Sequence, residues 1–551
     1  MPMFRVPTFR GSTLWLGIVI VGSLAGFVSG EEGIPVNDPL VIAKCGSCHA
    51  RDARGNMERI SWARTTPENW QDVLKQMILL NGLSVTPPEA RSIVKYLSTD
   101  HGLAPEEARA VSYDPERRIH EETNIPNDTL RECARCHAFA RPLSWRRSPE
   151  DWKQFADSHA TRYKIAAARE AAAVTFLTQA APLHTPEWDA WSAHPQTVNL
   201  AGRWLVAAYL PGRGNYYGEM RVDKTGDDEY STRVNLKSVT DGSSILRTGS
   251  SAVFGGFQWR GRSRGNKPAS SPDDLSSEVR EVMAFGPDRS AAEGRWFWGQ
   301  YQEFEFDVKL RRATSAATLL GVDRPSLKAG SQANRVRLTG DSFPGQITPP
   351  DLVFGPGITV RAIVSHSPSE IVAEVDVAAD AALGRRAVAF RESVLPGAIA
   401  IYDRVDYVKV IPESAVAAFG DRTHQRGYQQ FQAIGYQRGP DGVLHTDDDV
   451  ALGSVDVAWS IQVFHAADGS SPDFVGTVSP AGLFAPAAEN PNSNFDVWAI
   501  ATATSEKGAN GSPLVGKCYM VVTVPTYTFN GRQYVRDLDR WVDDGPASGR
   551  R

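Results

Sequence analysis

The sequence predicts a multidomain protein in which a mainly α-helical N-terminal domain is followed by an antiparallel β-barrel and two immunoglobulin-like β-sandwiches. A chain of 551 residues is too long to fold around one hydrophobic core. Helix-start signals gather before about residue 195, whereas short alternating segments between Gly, Pro and Asp clusters fill the remainder. We therefore expect five segments, with boundaries at residues 1–30, 31–195, 196–315, 316–412 and 413–551.

The composition is that of an ordinary globular protein, with 42% hydrophobic and 22% charged residues. The 59 basic and 64 acidic residues give a formal net charge of -5, which is close to neutral for this length. No run of Lys and Arg is long enough to form a basic arm. The charge pattern therefore gives no indication of a nucleic-acid-binding protein.

The first thirty residues have the pattern of a secretory signal peptide. Arg5 and Arg10 supply a positive n-region, residues 14–25 form an apolar stretch, and residues 28–30 are small, as at a cleavage site. An uncleaved membrane anchor is the alternative, but the apolar stretch is short for a span of about 20 residues. We therefore expect a cleaved signal peptide and a periplasmic protein that has no membrane contact after cleavage.

Four of the five cysteines fall into two identical frames, Cys45-Gly46-Ser47-Cys48-His49 and Cys133-Ala134-Arg135-Cys136-His137. The pattern C-x-x-C-H is the attachment signature of c-type haem. In it, the two thiols bind the porphyrin vinyl groups as thioethers, and the histidine becomes the proximal iron ligand. A four-cysteine zinc site would leave both histidines unexplained, a redox dithiol needs no histidine there, and two disulfides are the remaining alternative. We predict two covalently bound haem c groups, attached at Cys45, Cys48, Cys133 and Cys136, with His49 and His137 on the irons.

The region that carries these motifs repeats internally. Residues 66–70 (TPENW) follow the first motif and residues 148–152 (SPEDW) follow the second. Each is a helix start, with Thr or Ser as N-cap, Pro in the first turn and acidic residues near the positive end of the helix dipole. A further start at residues 86–89 leads into a segment that resembles the closing helix of a small cytochrome c domain. We therefore expect residues 31–195 to form a mainly α di-haem cytochrome c domain of two similar halves.

The repeat also suggests the distal iron ligands. Met77 and His159 each lie seven residues after the tryptophan of their half, so they occupy equivalent positions. Both side chains can bind low-spin haem iron, and the thioether favours the higher potential. The prediction is His49 with Met77 for the first haem and His137 with His159 for the second. The alternatives are His101 for the first iron, and for the second His120, His184 and His194.

Beyond about residue 197, alternation with turn signals replaces helical spacing. Strand-like segments lie at residues 203–210, 230–239, 251–260 and 295–310, with little helix between them, which favours a closed antiparallel barrel. After residue 316, two series of short β-rich segments separated by Gly, Pro and Asp clusters are typical of immunoglobulin-like sandwiches.

The β-rich part shows no catalytic arrangement in its sequence. Cys518 lies in a run that is typical of a buried strand, so it is expected to be inert packing, with a link to a partner as the alternative. The acidic loop at Asp447–Asp449 could hold calcium, but its spacing does not match the helix-loop-helix calcium motif, and acidic turns are commonly solvated. No Ser/His/Asp set and no paired-carboxylate site emerges from spacing.

The combination of these features resembles the α subunit of quinohemoprotein amine dehydrogenase. The leader, the CGSCHA and CARCHA motifs, the barrel opening GRWLVAAYLPGRGNYYGEM and the two sandwiches carry the resemblance over essentially the full mature chain. It implies a periplasmic heterotrimer with a β-propeller subunit and a small subunit that holds a cysteine tryptophylquinone. Primary amines would be oxidised at the quinone, and electrons would pass through both haems to a blue copper protein or a soluble cytochrome c.

The resemblance assigns no catalytic residue to this chain, because the quinone and its catalytic base belong to the small subunit. Three alternatives remain open from the residues alone: a free-standing di-haem cytochrome c, a di-haem peroxidase-like enzyme with an open axial iron site, and a haem-based sensor or adhesion module. Neighbouring genes for a propeller and for a short protein rich in Cys and containing Trp would distinguish the dehydrogenase subunit from the others.

Overall fold

The structure is a computed structural model. It describes residues 32–112, 130, 139–193, 199–268, 274–298, 304–420, 426–464, 472–488, 493–508 and 510–524. Within these ranges, no helix combines the length and the hydropathy needed to cross a bilayer. The predicted signal peptide and the second C-x-x-C-H motif lie outside the described residues.

The helices lie in the N-terminal region. The described part of this region contains α1 (Pro39–Cys45), α2 (Pro67–Asn81), α3 (Pro87–Asp100), α4 (Pro105–Arg109), α5 (Ala140–Leu143), α6 (Pro149–Tyr163), α7 (Ala167–Ala180) and α8 (Pro186–Ser192). Two short strands, β1 (Ala63–Thr65) and β2 (Trp145–Arg147), pair antiparallel between the two halves.

The helix starts follow the sequence signals. The Thr66 hydroxyl accepts a hydrogen bond from the backbone N–H of Asn69 at 3.4 Å, and the Ser148 hydroxyl accepts one from that of Asp151 at 3.2 Å. Both caps are followed by proline at the first helical position, where no N–H is needed. Helix α3 starts with a capping box, in which Thr86 and its third helical residue satisfy each other's backbone.

The two halves also repeat in their packing. The indole N–H of Trp70 donates to the carbonyl of His101 at 2.9 Å, and that of Trp152 donates to the carbonyl of Ala181 at 2.9 Å. His101 and Ala181 are the residues that cap α3 and α7. Each half therefore ties the start of one helix to the end of its closing helix through a buried tryptophan.

The expected fold class, with its mainly α-helical haem domain, is wrong, because the structure is mostly β. Strands make up 46% of the described residues and helices 20%. Four of the eight described helices, α1, α4, α5 and α8, have seven residues or fewer. A capping signal marks where a helix begins, but tertiary packing decides how far the helix extends. The start signals therefore led the sequence interpretation to overestimate the helix content.

A closed eight-stranded barrel follows, as the strand spacing predicts. Its neighbours run in the order β10-β3-β4-β5-β6-β7-β8-β9. Alternate residues point inward, and Trp204, Trp259 and Trp296 fill the interior with no exposed surface. The strands are β3 (Gly202–Leu210), β4 (Gly214–Gly226), β5 (Glu229–Ser238), β6 (Ser244–Phe254), β7 (Gln258–Gly265), β8 (Val279–Phe285), β9 (Ala291–Trp298) and β10 (Phe304–Arg312).

The third unit spans residues 318–402 and has two four-stranded sheets, β11-β13-β16-β15 and β12-β18-β17-β14, on one shared core. Its strands are β11 (Thr318–Val322), β12 (Ser326–Lys328), β13 (Asn334–Asp341), β14 (Leu352–Val353), β15 (Ile358–Ser367), β16 (Glu370–Val377), β17 (Gly384–Phe390) and β18 (Ser393–Tyr402).

The fourth unit spans residues 407–523 and has three sheets, β19-β22-β23, β20-β28-β27-β24 and β21-β26-β25. Its first strand ends just before residue 412 and pairs with β22. The strands are β19 (Tyr407–Ile411), β20 (Ser414–Ala418), β21 (Gln429–Gln430), β22 (Gln432–Gln437), β23 (Val450–Ser454), β24 (Val457–Val463), β25 (Gly476–Val478), β26 (Leu483–Pro486), β27 (Phe495–Lys507) and β28 (Pro513–Thr523).

The N-terminal region rests on the barrel through ion pairs. The carboxylate of Glu68, in the first turn of α2, binds the guanidinium of Arg260 on β7, and both side chains are largely buried. On α3, Arg91 contacts Glu229 at 2.8 Å and Lys95 contacts Asp228 at 3.1 Å, both at the turn between β4 and β5. These contacts place α2 and α3 against the barrel wall.

A buried ionic network joins the two halves of the N-terminal region. Arg64 on β1 and Arg146 on β2 are paired across the two-stranded sheet, and both donate to the carboxylate of Glu107, at 2.8 Å and 2.9 Å. Thr185 donates to the same carboxylate at 2.9 Å. Burial raises the pKa of Glu107, but the hydrogen bond and charge of Arg64, with Arg146, outweigh burial and hold this pKa below its ordinary value.

We predict that Glu107→Gln lowers the free energy of unfolding by about 3 kcal/mol at neutral pH, because the neutral amide leaves two buried guanidinium groups without a counter-charge. The carboxylate stabilises the fold above its ordinary pKa, and this stabilisation is lost as the pH falls through its lowered folded-state pKa. The difference between parent and variant should therefore shrink in acid. Denaturant unfolding of the full chain, followed by helical circular dichroism, measures it.

The matched control for this prediction is Asp157→Asn. Asp157 pairs with Lys153 on α6, with 46% of its side chain exposed, so its loss should leave the free energy of unfolding nearly unchanged. Equal losses in the two variants would contradict the role assigned to the buried network.

Candidate functional site

The first C-x-x-C-H motif forms a tight turn at the end of α1. Asp38 caps the helix by accepting from the backbone N–H of Val41 at 2.8 Å. At the other end, the carbonyl of Cys45 accepts from the backbone N–H of Cys48 at 3.1 Å and from that of His49 at 2.9 Å. The turn therefore holds two thiols and one imidazole together at the end of α1 through local hydrogen bonds.

Gly46 lets this turn close. A Cβ atom at this position would lie 2.5 Å from the carbonyl oxygen of Ile42, a distance that real side chains do not tolerate. The residue caps α1 in an ordinary right-handed conformation, so the requirement is space rather than an unusual backbone angle. A side chain at this position would require the backbone of the turn to shift.

The state of the two thiols disfavours two of the alternative interpretations. Cys45 and Cys48 are free and form no disulfide with each other. Burial, and then the neighbouring Cys48, raise the pKa of Cys45, whereas a redox-active dithiol has a lowered pKa. Attachment of haem through thioether bonds fits this pair of thiols.

His49 is oriented as an iron ligand needs to be. Its Nδ1 atom lies 2.9 Å from the carbonyl oxygen of Glu58. Because a carbonyl can only accept, Nδ1 carries the proton and Nε2 keeps its lone pair. Metal-binding histidines commonly fix their ring and their tautomer through this second hydrogen bond. The residues of the first motif therefore fit a covalently attached haem with His49 as proximal ligand.

The two candidate distal ligands of the first half differ in environment. Met77 lies on α2, half-buried, with its sulfur 3.7 Å from the side-chain amide of Asn81. His101 caps α3 and is completely buried, and neither of its ring nitrogens has a hydrogen-bond partner. Burial, and then the charge of Arg64, lower the pKa of His101 to about 3, so the ring is neutral. Met77 stays the prediction, and His101 has the lone pair that a ligand requires.

Of the second site, the structure describes only part. The residues Cys133, Cys136, His137, His120 and His194 lie outside the described residues. His159 lies on α6, half-buried, in contact with Phe155 at 5.6 Å and Tyr163 at 4.6 Å between ring centroids. Burial, and then Arg141 and Arg162, lower its pKa.

His184, an alternative ligand for the second iron, has both ring nitrogens near polar groups. Nε2 lies 2.7 Å from the carbonyl oxygen of Glu32, and Nδ1 lies 3.8 Å from the carboxylate of Asp189. Since the carbonyl requires a proton on Nε2, this nitrogen has no lone pair for iron. In that tautomer the lone pair of the neutral ring is on Nδ1, on the side of Asp189, so His184 stays an alternative ligand.

Two features escaped the sequence analysis. The first is the aromatic row Phe155, His159 and Tyr163 on α6, which their i, i+4, i+8 spacing could have shown. The second is the contact of Trp70 with Trp145, at 6.0 Å between ring centroids. This contact joins the two halves, and no local pattern predicts it because the two residues lie far apart in the sequence.

In the acidic loop of the fourth unit, the carboxylate of Asp449 stabilises the turn to which it belongs. The carboxylate of Asp449 accepts from the Tyr407 hydroxyl at 2.7 Å and from the backbone N–H groups of His445 and Gly439 at 2.7 Å and 2.8 Å. Among the described residues of this loop, no group of three His, Cys, Asp or Glu side chains is placed to bind a calcium ion.

Cys518 is completely buried in β28. Burial raises the pKa of its thiol to about 12, as expected of a cysteine that only packs in the core.

Solved structures resemble parts of the chain weakly. A de novo designed fluorescence-activating beta barrel is 17% identical with a TM-score of 0.17, covering 20% of this chain and 93% of its own. The tandem Ig repeats of Dlar are 11% identical with a TM-score of 0.12, covering 38% and 98%. Surface layer protein SbsC, domains 1-6, is 10% identical with a TM-score of 0.15, covering 80% and 85%. Similarities this weak do not indicate a shared function, and no curated protein matches the sequence.

Models of protein families match nearly the whole chain, in four consecutive segments. Residues 36–174 match "Quinohemoprotein amine dehydrogenase A, alpha subunit, haem binding". Residues 197–313, 316–403 and 408–533 match domains II, III and IV of the same subunit. The haem-binding segment contains both C-x-x-C-H motifs, and domain II coincides with the eight-stranded barrel. The chain therefore belongs to the family of quinohemoprotein amine dehydrogenase alpha subunits.

Proposed function

We propose that this chain is the di-haem electron-transfer subunit of a periplasmic amine dehydrogenase. It would take electrons from a quinone cofactor on a partner subunit and pass them through two covalently bound haem c groups to an external carrier. The observation that carries the proposal is the first motif, where two free thiols and an imidazole with a free Nε2 lone pair share one turn. Membership of an amine dehydrogenase family supplies the reaction class.

The residues of this turn would have different roles in binding the haem. Cys45 and Cys48 would tether the porphyrin, so that the haem stays on the chain through repeated redox cycles. His49 would bind the iron, and the carbonyl of Glu58 would hold its ring in place and increase its basicity. When bound, the haem supplies a one-electron iron couple whose potential depends on the distal ligand and on burial.

The partners belong to the proposal as well. We take them to be a β-propeller subunit, a small subunit with cysteine tryptophylquinone, and a blue copper protein or a soluble cytochrome c as acceptor. The described residues of the barrel and of the third and fourth units contain no cluster that could bind a metal ion. These units would therefore serve assembly, while amine oxidation occurs on the small subunit. Export to the periplasm is supported by the leader-like N-terminus and by the haem motifs.

We expect the isolated, haem-loaded chain to show low-spin c-type haem spectra but no reduction of its haems by primary amines, since the quinone lies on another subunit. Absorption spectra recorded with and without amine measure this, first for the chain alone and then after addition of the partner subunits. Haem reduction by amine in the chain alone would contradict the proposal. Failure of the assembled complex to reduce the haems would contradict it equally.

The double substitution Cys45→Ala and Cys48→Ala should lower the covalent haem content from two to one per chain, because it removes both thioether bonds of one motif. Intact mass and haem-stained denaturing gels measure the content. Cys518→Ala is the matched control, since this thiol is buried in β28, far in sequence from both motifs, and should leave two haems. An unchanged haem content in the double variant would overturn the assignment of the first motif.

The distal ligand of the first haem can be decided by spectroscopy. Met77→Ala should abolish the weak long-wavelength charge-transfer band of ferric His/Met haem, because the thioether is lost, and should leave the bis-histidine signal of the second haem intact. His101→Ala should leave the band in place. The reverse pattern, in which the band is absent from the parent and His101→Ala changes the spectrum of the first haem, would show that His101 is the ligand.

A further inference from the structure

A cleft lies between the outer wall of the barrel and the third unit, and we call it the junction cleft. Strands β3, β4 and β5 line one side of it, and β11, β13 and the start of β16 line the other. Its volume is about 320 Å³. At roughly 30 Å³ for each water-sized group, this volume holds about ten non-hydrogen atoms. Small-molecule sites commonly lie where two domains meet, so the junction cleft is a candidate binding site.

Tyr217 brings a buried hydroxyl to this cleft. Its side chain points outward from β4, as those of Glu219 and Arg221 do, yet it is only 7% exposed because the third unit covers it. A Cβ atom at Gly321 would overlap the hydroxyl, so the third unit needs a glycine there. Within the described ranges, the hydroxyl has no hydrogen-bond partner. Burial, and then the charge of Asp323, raise its pKa, so it keeps its proton and can donate. A buried donor without a partner indicates a bound group at this point.

The acidic residues that line the cleft each lie beside an arginine. The carboxylate of Asp341 accepts two hydrogen bonds of 2.8 Å from the guanidinium of Arg203. The carboxylate of Glu219 lies 3.5 Å from the same guanidinium. On the third unit, the carboxylate of Glu370 lies 3.4 Å from Nε of Arg337. These carboxylates therefore have cationic neighbours without any ligand.

Lys237, by contrast, is a cation without a counter-charge. It stands directly opposite Tyr217 in the β4–β5 pair, so the two side chains are neighbours on the outer barrel wall. Its ammonium group forms no ion pair in the part of the chain that the structure describes. The Nε atom of Arg337 is buried and also lacks a hydrogen-bond partner, although Glu370 is near. One neutral and two cationic donors are a set that a carboxylate satisfies.

We propose that the junction cleft binds a small carboxylate that carries an apolar group. The carboxylate would accept hydrogen bonds from Lys237, Tyr217 and Arg337. The apolar group would pack on Leu205 of the barrel and Leu320 of the third unit, which also line the cleft. The inference is independent of the proposed electron-transfer function, because none of these residues belongs to a proposed haem site.

The test is isothermal titration calorimetry of benzoate into the full haem-loaded chain. Benzoate combines a carboxylate with an apolar ring at a size that the cleft can hold, so we expect saturable binding at one site per chain. Benzamide has the same shape without the charge, and inorganic phosphate has the charge without the ring. Each of these two compounds should therefore bind about tenfold more weakly than benzoate, or weaker still.

Two substitutions test the residues of the cleft. Lys237→Met and Tyr217→Phe should each weaken benzoate binding by about tenfold or more, because each removes one donor to a charged group and keeps most of the side-chain volume. The two variants are independent, so a failure of one to fold leaves the other as the test. Lys309→Met is the matched control, since Lys309 is exposed on β10 of the same barrel and does not line the cleft. It should bind benzoate like the parent chain.

Three results would overturn the proposal. Absence of saturable benzoate binding would show that the cleft holds only water. Binding that Lys237→Met and Tyr217→Phe both leave unchanged would place the carboxylate elsewhere on the chain. Equal binding of benzamide or phosphate would contradict the ligand class that the charges and the apolar lining indicate.

Discussion

The N-terminal region depends on one buried carboxylate. Glu107 lies between Arg64 and Arg146, the two arginines that face each other across the β1–β2 pair. Two buried guanidinium groups side by side would repel each other. The carboxylate between them binds both groups and offsets this repulsion. Strand β1 belongs to the half with the first haem motif, and β2 leads into helix α6 of the second half. The ionic network therefore holds the two halves in one arrangement. Under the proposed function, transfer of electrons between two haems would require such a fixed arrangement.

The barrel gives this joined region a rigid support. Its interior is packed with buried apolar side chains, among them Trp204, Trp259 and Trp296. Its outer wall holds α2 through the buried pair of Glu68 and Arg260 and holds α3 through Arg91 and Lys95. These two helices carry or precede the two candidate distal ligands of the first haem, Met77 and His101. The barrel therefore supports the two helices beside the proposed site of the first haem.

In the proposed haem site, some residues are held by contacts with neighbours in the sequence, and others are held by contacts between distant elements. Cys45, Cys48 and His49 are held by hydrogen bonds within five residues, and only the contact of His49 with Glu58 reaches further, to nine residues away. The environment of His101 is built from distant elements, since Trp70 and Tyr96 lie beside its ring and its burial depends on their packing. A local motif can thus specify how haem is attached, while the ligand on the other side of the iron depends on how the helices pack.

The sequence by itself predicted the helix starts at Thr66 and Ser148 and a closed antiparallel barrel, which the structure confirms, because each depends on residues close together or on a strict alternation along a strand. The haem attachment residues, read from two short motifs, stay a prediction. The fold class predicted from it was wrong in its helical part, because helix length depends on packing that capping residues do not encode. Only the tertiary structure decided that Glu107 would meet Arg64, 43 residues away, and that His101 would be neutral and completely buried. The physical reason is that burial and charge pairing arise from contacts between distant segments, which no local pattern contains.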